Sequence, residues 1–284
     1  MITETRASYN GVRTRVLAVA GNGVPIVLLH GFADSADTWR GLLAELEAAG
    51  RQAIAVDMPG FGAADARAPG EILPQLDAFV DAMLVDTGPA VLIGNSLGAC
   101  AAVRAASRGS SSIRGVVAVD EPILASHWLI RLSRGRHDPF RMLPSRAPVS
   151  KAAYGRLMRA TFARLLYGDP KQADPRVVSR FTEQVPDVHA TRLLLEDARQ
   201  VAVETAAGYD VAHVACPLLV VHGCKDRVIP VHASERLHES VPGSTLIVMP
   251  ESGHCPQVDD PSGLAAHVLR FLDSRVDDRN HQAG

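Results

Sequence analysis

The sequence predicts an α/β protein, a doubly wound, mostly parallel β-sheet carrying one helical insertion. Three observations carry this. Short apolar runs alternate with helix-length amphipathic segments, which is the rhythm of strand–helix–strand crossovers. The runs are apolar at nearly every position, as strands covered on both faces are. The alternation breaks only once, between about Ile123 and Ala190.

Taken in order, "VRTRVLAV" (12–19) reads as an early antiparallel edge strand. The runs "PIVLLHG" (25–31), "QAIAVDMPG" (52–60), "AVLIGNS" (90–96), "IRGVVAVDEP" (113–122), "CPLLVVHG" (216–223) and "STLIVMPE" (244–251) read as inner strands, each ending in turn residues. Helices are expected at about 38–49, 72–86, 97–108, 231–241 and 260–273. The first sets Trp39, Leu42, Leu43 and Leu46 on one stripe and stops at Gly50, a C-cap glycine. Residues 123–190 hold basic, Pro-punctuated helical pieces such as "YGRLMRATFARLLYG", and a structureless loop of that length is improbable in a compact domain. The expected division is therefore a core of 1–122 and 191–274, a helical cap of 123–190 and a disordered tail of 275–284.

The 284 residues suffice for one large domain with an insertion. A net charge of −2 supplies no electrostatic footprint for nucleic acid or an anionic membrane. No signal-peptide pattern opens the chain and no apolar run reaches membrane-spanning length. Cys100, Cys216, Cys224 and Cys255 lack zinc-type spacing and read as free thiols, so a reducing cytoplasm is the expected location. The expected partner is a small-molecule substrate, without nucleic acid or stable membrane insertion; a homodimer stays open.

In open parallel sheets, ligands bind beyond the carboxyl ends of the strands. There the sequence places His30-Gly31-Phe32, Gly94-Asn95-Ser96-Leu97-Gly98, Asp226 in "HGCKDRVIP" and His254 in "PESGHCPQ". G-x-S-x-G between a strand and a small-residue helix is the pattern of a nucleophile elbow. The alternative is a plain helix N-cap serine. Serine is a weak nucleophile until a base takes its proton and a carboxylate orients that base. His254 and Asp226 suit those roles, against a solvated loop histidine and a turn aspartate; Asp120 and Glu121 are rival acids. Backbone N–H groups of Phe32 and Leu97 are the natural oxyanion donors, worth about 3–4 kcal/mol each. His30 is read as shaping the loop rather than as a second base.

With "HGF", "DMPGFG" (57–62), "GNSLGA", "HGCKDRVIP" and "SGHCPQVDDP" in the order Ser, Asp, His, the chain from about Val12 to Leu272 resembles a capped serine hydrolase of the α/β-hydrolase superfamily. The resemblance implies a cap inserted after that fold's sixth strand. Ser96 stands where related dehalogenases and epoxide hydrolases use aspartate. Such a triad activates its own nucleophile, so neither cofactor nor metal is expected. The leading expectation is a carboxylesterase, with cap residues Trp128, Phe140, Met142, Tyr154, Met158 and Phe162 as candidate apolar walls. Asn95 beside the serine also resembles hydrolases that cleave carbon–carbon bonds of dienoic ring-fission products, although Ala99 and "HGFADS" depart from their glycine-rich pattern. Thioesterase, lactonase and acyltransferase chemistry share the triad, and a non-catalytic ligand receptor is the remote alternative. Proximity alone suggests that Cys224 and Cys255 make activity sensitive to thiol reagents.

Overall fold

The computed structural model describes residues 1–122, 150–205 and 210–277. Eight strands form one sheet in the order β1-β2-β4-β3-β5-β6-β7-β8. They are β1 (Thr3–Tyr9), β2 (Val12–Val19), β3 (Asn22–Leu29), β4 (Arg51–Val56), β5 (Ala90–Asn95), β6 (Ile113–Val119), β7 (Leu218–Gly223) and β8 (Thr245–Met249). β1 and β2 pair antiparallel, as do β2 and β4, and every later pairing is parallel. The α/β architecture expected from the alternation is therefore present. The central strand β5 is buried at all six positions, which is why it reads as a continuous apolar run.

The helices of the core are α1 (Arg40–Ala48), α2 (Ile72–Thr87) and α3 (Leu97–Ser107). Between β6 and β7 lie α4 (Lys151–Leu166), α5 (Pro175–Glu183) and α6 (Val188–Glu204); α7 (His232–Ser240), α8 (Pro256–Asp259) and α9 (Pro261–Phe271) follow β7. Leu42, Leu43 and Leu46 on α1 are fully buried, as is Trp39 in the 3₁₀ turn before it (Ala36–Trp39). They cover one face of the sheet with α9, while α2 and α3 cover the other. Each leucine contributes roughly 1.5–3 kcal/mol by leaving water.

The structure departs from the expected boundaries in three places. β1 extends the sheet beyond β2, where no strand was expected. The helical stretch after β6 runs on to Glu204, so α6 straddles the boundary expected at residue 190. The chain also stays folded past residue 275: a π-helical turn spans Leu272–Asp277, Val276 is buried, and Arg51 holds Asp277 at 2.7 Å. The expected tail therefore begins too early. That pairing spans almost the whole chain, so local sequence gives no sign of it.

Candidate active site

β5 ends in Asn95, and α3 starts at Leu97, so Ser96 alone makes the turn between them. Its backbone sits at φ 52°, ψ −114°, a conformation disfavoured for a residue with a Cβ. The Ser96 side chain makes no capping hydrogen bond to α3, so the N-cap explanation for this serine falls away. The crowding explains both glycines. A Cβ on Gly94 would lie 2.2 Å from the Gly98 carbonyl carbon, and one on Gly98 would lie 2.1 Å from the Leu29 carbonyl oxygen. Both obstacles are backbone and cannot swing aside. Gly98→Ala is accordingly expected to destabilise the protein by about 2–4 kcal/mol, read from the denaturant midpoint. An unchanged midpoint would contradict the tight seating of α3 on β3.

The Asp226 and His254 side chains meet. Asp226 follows β7, His254 lies between β8 and α8, and His254 Nδ1 is 2.8 Å from Asp226 Oδ2. The other carboxylate oxygen, Oδ1, accepts the N–H groups of Val228 at 2.6 Å and Ile229 at 3.0 Å. Burial pushes the Asp226 pKa up, but the His254 charge, its hydrogen bond and the two backbone N–H groups outweigh this and leave it below the usual carboxylate value. Of the rival acids, Asp120 packs against this pair without touching His254.

Ser96 and His254 open onto one cavity of about 280 Å³, shared by Gly31, Phe32, Leu97 and Asn95. Leu97 is the first residue of α3, so its N–H has no acceptor within the helix. Gly31 admits the opposite loop: a Cβ there would already be 3.1 Å from Asn95 Oδ1. His30 is fully buried, with Nδ1 donating to the Gly31 carbonyl at 2.7 Å and Nε2 accepting from Met58 N–H at 2.8 Å. Burial lowers its pKa to about 4, so the ring is neutral and staples the loop. Asp57 of "DMPGFG" does similar work, accepting from Ala36 N–H at 2.7 Å and Ala63 N–H at 2.8 Å while Arg15 pairs with it at 2.9 Å.

The roof is mostly apolar, with Phe162, Leu165 and Leu166 from α4, Phe181 from α5, and Leu194 and Ala198 from α6, where Arg199 also reaches the wall. Of the expected wall residues, Phe162 lines the cavity; Tyr154 instead meets Thr191, and Met158 lies outside the wall. Trp128, Phe140 and Met142 lie outside the described residues. Two polar details were not legible beforehand. Asn95 Nδ2 donates to the His254 carbonyl at 3.0 Å, which commits that amide to the protein. Asp34, two residues beyond Phe32, is buried with Oδ2 unpartnered, and burial raises its pKa to about 7.

The raised Asp34 value means that the folded state holds a proton that the unfolded state releases near pH 4. Its contribution to stability is complete below that pH and is lost as pH rises toward 7. The loss is on the order of 4 kcal/mol at most. Asp34→Asn should flatten the decline in denaturant midpoint across this window, and an unaltered pH profile would refute the assignment. Cys255, for its part, is buried and burial pushes its thiol pKa well up, whereas Cys224 is exposed. Cys224 is therefore open to thiol reagents, while the Cys255 thiol, on the cavity wall, is held in its less reactive protonated form.

A doubly wound sheet with a serine elbow at the end of its central strand defines a hydrolase fold. Residues 26–267 match the family model described as "Alpha/beta hydrolase family", and the chain belongs to that family. It is 26% identical over 289 residues to a 2-hydroxy-6-oxo-6-(2'-aminophenyl)hexa-2,4-dienoic acid hydrolase from Metapseudomonas resinovorans, covering 96% of this chain and 92% of that one. It is 28% identical over 261 residues to a pimeloyl-[acyl-carrier protein] methyl ester esterase from Neisseria meningitidis, covering 89% and 78%. Among solved structures, a bacterial membrane phospholipase A superposes with a TM-score of 0.77 at 20% identity, covering 96% of this chain and 86% of that one, a likeness of fold. No helix among the described residues is long and apolar enough to cross a membrane.

Proposed function

We propose that the protein is a serine hydrolase that cleaves a carboxylic ester of a small or medium apolar substrate through an acyl-enzyme. The observation that carries this reading is the His254–Asp226 hydrogen bond opening onto the same apolar-roofed cavity as the strained, uncapped Ser96. Ser96 Oγ attacks the carbonyl carbon as His254 takes its proton. The N–H groups of Phe32 and Leu97 receive the developing oxyanion. His254 then returns the proton to the leaving alcohol, and water, activated by the same imidazole, releases the acid. The family resemblance and the methyl ester esterase among the relatives support the ester assignment. A non-catalytic receptor need not retain Ser96, His254 and Asp226 together, which argues against that alternative.

One observation favours a second reading, hydrolysis of a carbon–carbon bond in a dienoic ring-fission acid. Arg199 of α6 is the one arginine on the wall of the otherwise mostly apolar cavity among the described residues, and a guanidinium is the group that recognises a carboxylate. The relative from Metapseudomonas resinovorans acts on such an acid by name.

The test is a direct comparison. Turnover of p-nitrophenyl esters of increasing chain length, with labelling of Ser96 by a fluorophosphonate, is the expected result. Turnover of a coloured ring-fission dienoate far above every ester would move the assignment to the second reading. No labelling and no turnover of either substrate class would sink both.

A further inference from the structure

Behind the Asp226–His254 pair lies a second buried carboxyl that the reaction above does not use. Asp120 closes β6 with φ 49°, a left-handed conformation that is costly for a residue with a side chain. Its N–H donates to the Val221 carbonyl at 2.9 Å, and its Oδ1 accepts the Gly223 N–H at 2.9 Å. The side chain is completely buried and Oδ2 has no hydrogen-bond partner. Oxygens of Asp120 and Asp226 and a ring nitrogen of His222 fall within 4.8 Å of one another. Two bare carboxylates this close, out of water, would repel one another with nothing in between.

Among the described residues, the surroundings offer Asp120 no cation. His222 Nε2 is 3.1 Å from the Ile229 carbonyl, which can only accept, so Nε2 carries the ring proton. Nδ1 then accepts from the Ser234 hydroxyl at 2.8 Å, and burial lowers the ring's pKa, so His222 is neutral. Its Nδ1 lies 3.3 Å from Asp120 Oδ1 without forming an ion pair. Lys225 turns outward to Glu251, and Arg227 is spent on the carbonyls of Arg164, Tyr167 and Gly168. The other titratable neighbours are Glu121 on the same strand end, Cys255 beside His254, and Asp259 on α8, none of them positive. The Nδ1 of His254 is taken by Asp226.

Resting on the triad reading above, we propose that Asp120 is a positioning residue, a carboxylic acid whose Oδ2–H donates to Asp226 and holds that carboxylate against His254. The proton supplies the partner that Oδ2 lacks. Burial first, then the Asp226 charge, keep Asp120 protonated far above the usual carboxylate range, against the smaller pull of the Gly223 N–H. It is the extra hydrogen-bond donor that lets Asp226 remain ionised in a dry site. The strained φ at Asp120 is then the cost of aiming this acid at Asp226.

Carbon-13 labelling of aspartate tests the proton on the resting protein, without substrate. One carboxyl signal should remain in the acid position at pH 8 in both the Asp34→Asn and the Asp259→Asn protein, since these are the other two raised aspartates among the described residues. It should vanish in Asp120→Asn. Absence of any such signal overturns the proposal, and the labelled Asp34→Asn and Asp259→Asn proteins decide the matter even if Asp120→Asn fails to fold.

Kinetics supply the second arm. Asparagine keeps a donor at the Oδ2 position and the charge of a neutral acid. Asp120→Asn should hold kcat within a few-fold, with the acid limb of the kcat/KM–pH profile in place. Asp120→Ala should lower kcat about 10–100-fold at similar KM and move that limb to higher pH, as Asp226 regains undivided charge toward His254. A limb that moves to lower pH in Asp120→Asn would mean that an ionised Asp120 had been lost, and would overturn the proposal. Should the protein prove inert toward fluorophosphonate and every ester, the triad reading fails while the carboxyl signal still judges the shared proton.

Discussion

Replacing Ser96 with alanine lowers kcat by about 10⁴–10⁶-fold on the best substrate and abolishes fluorophosphonate labelling. The size of the effect follows from the division of labour. Without Oγ no acyl-enzyme forms, and what remains is binding plus the oxyanion donors, which act on a water that no longer has a fixed attack position. The variant should nevertheless fold. The Ser96 hydroxyl makes no capping bond, and alanine faces the same strained φ of 52° that serine already tolerates. A denaturant midpoint within about 1 kcal/mol of wild type is therefore expected alongside the lost activity. Retention of more than a hundredth of the wild-type kcat in a folded Ser96→Ala protein would remove Ser96 from the mechanism.

Asp226→Asn should lower kcat by about 10⁴-fold, and the local hydrogen bonds say why. One oxygen of Asp226 must keep accepting from the N–H groups of Val228 and Ile229. An asparagine that satisfies them has to place its carbonyl there and its NH₂ group toward His254 Nδ1. A donor facing Nδ1 forces the ring proton onto Nε2, the nitrogen that must be free to accept from Ser96. The shape survives and the tautomer is wrong. The measurement is kcat across pH, with ring nitrogens assigned by NMR. Activity within ten-fold of wild type, or a ring still protonated at Nδ1, would exclude Asp226 as the orienting acid.

Much of this was legible in the sequence because the fold writes its inner strands in continuous apolar runs. Positions 90–95 are buried throughout, and no other element class explains six such residues ending in Gly-Asn-Ser. The candidate residues follow from that, since all sit where a run stops. What escaped notice depends on partners far along the chain. β1, "TETRASY", is mostly exposed and has no apolar face; its register against β2, from Thr3 opposite Ala18 to Tyr9 opposite Val12, makes it a strand. Asp34 reads as an ordinary loop acid, and Asp120 only as a rival to Asp226, until burial is known. Asn95 tilts the reading toward carbon–carbon cleavage by resemblance alone, and the structure adds that its Nδ2 is occupied by the His254 carbonyl. Ala99 is fully buried within α3 and is absent from the cavity wall, so it bears on the choice only through packing.

The Asn95–His254 bond has a consequence for how this scaffold can diversify. It rivets the residue before Ser96 to the backbone of His254, across 159 positions of sequence. The reactive floor thus behaves as a single part, in which neither the serine turn nor the histidine loop can drift without dragging the other. Heritable change in what the protein accepts then has to enter through the helices overhead, where Phe162, Phe181 and Leu194 can be exchanged one at a time. The floor is a chassis, and the roof is where new substrates are tried.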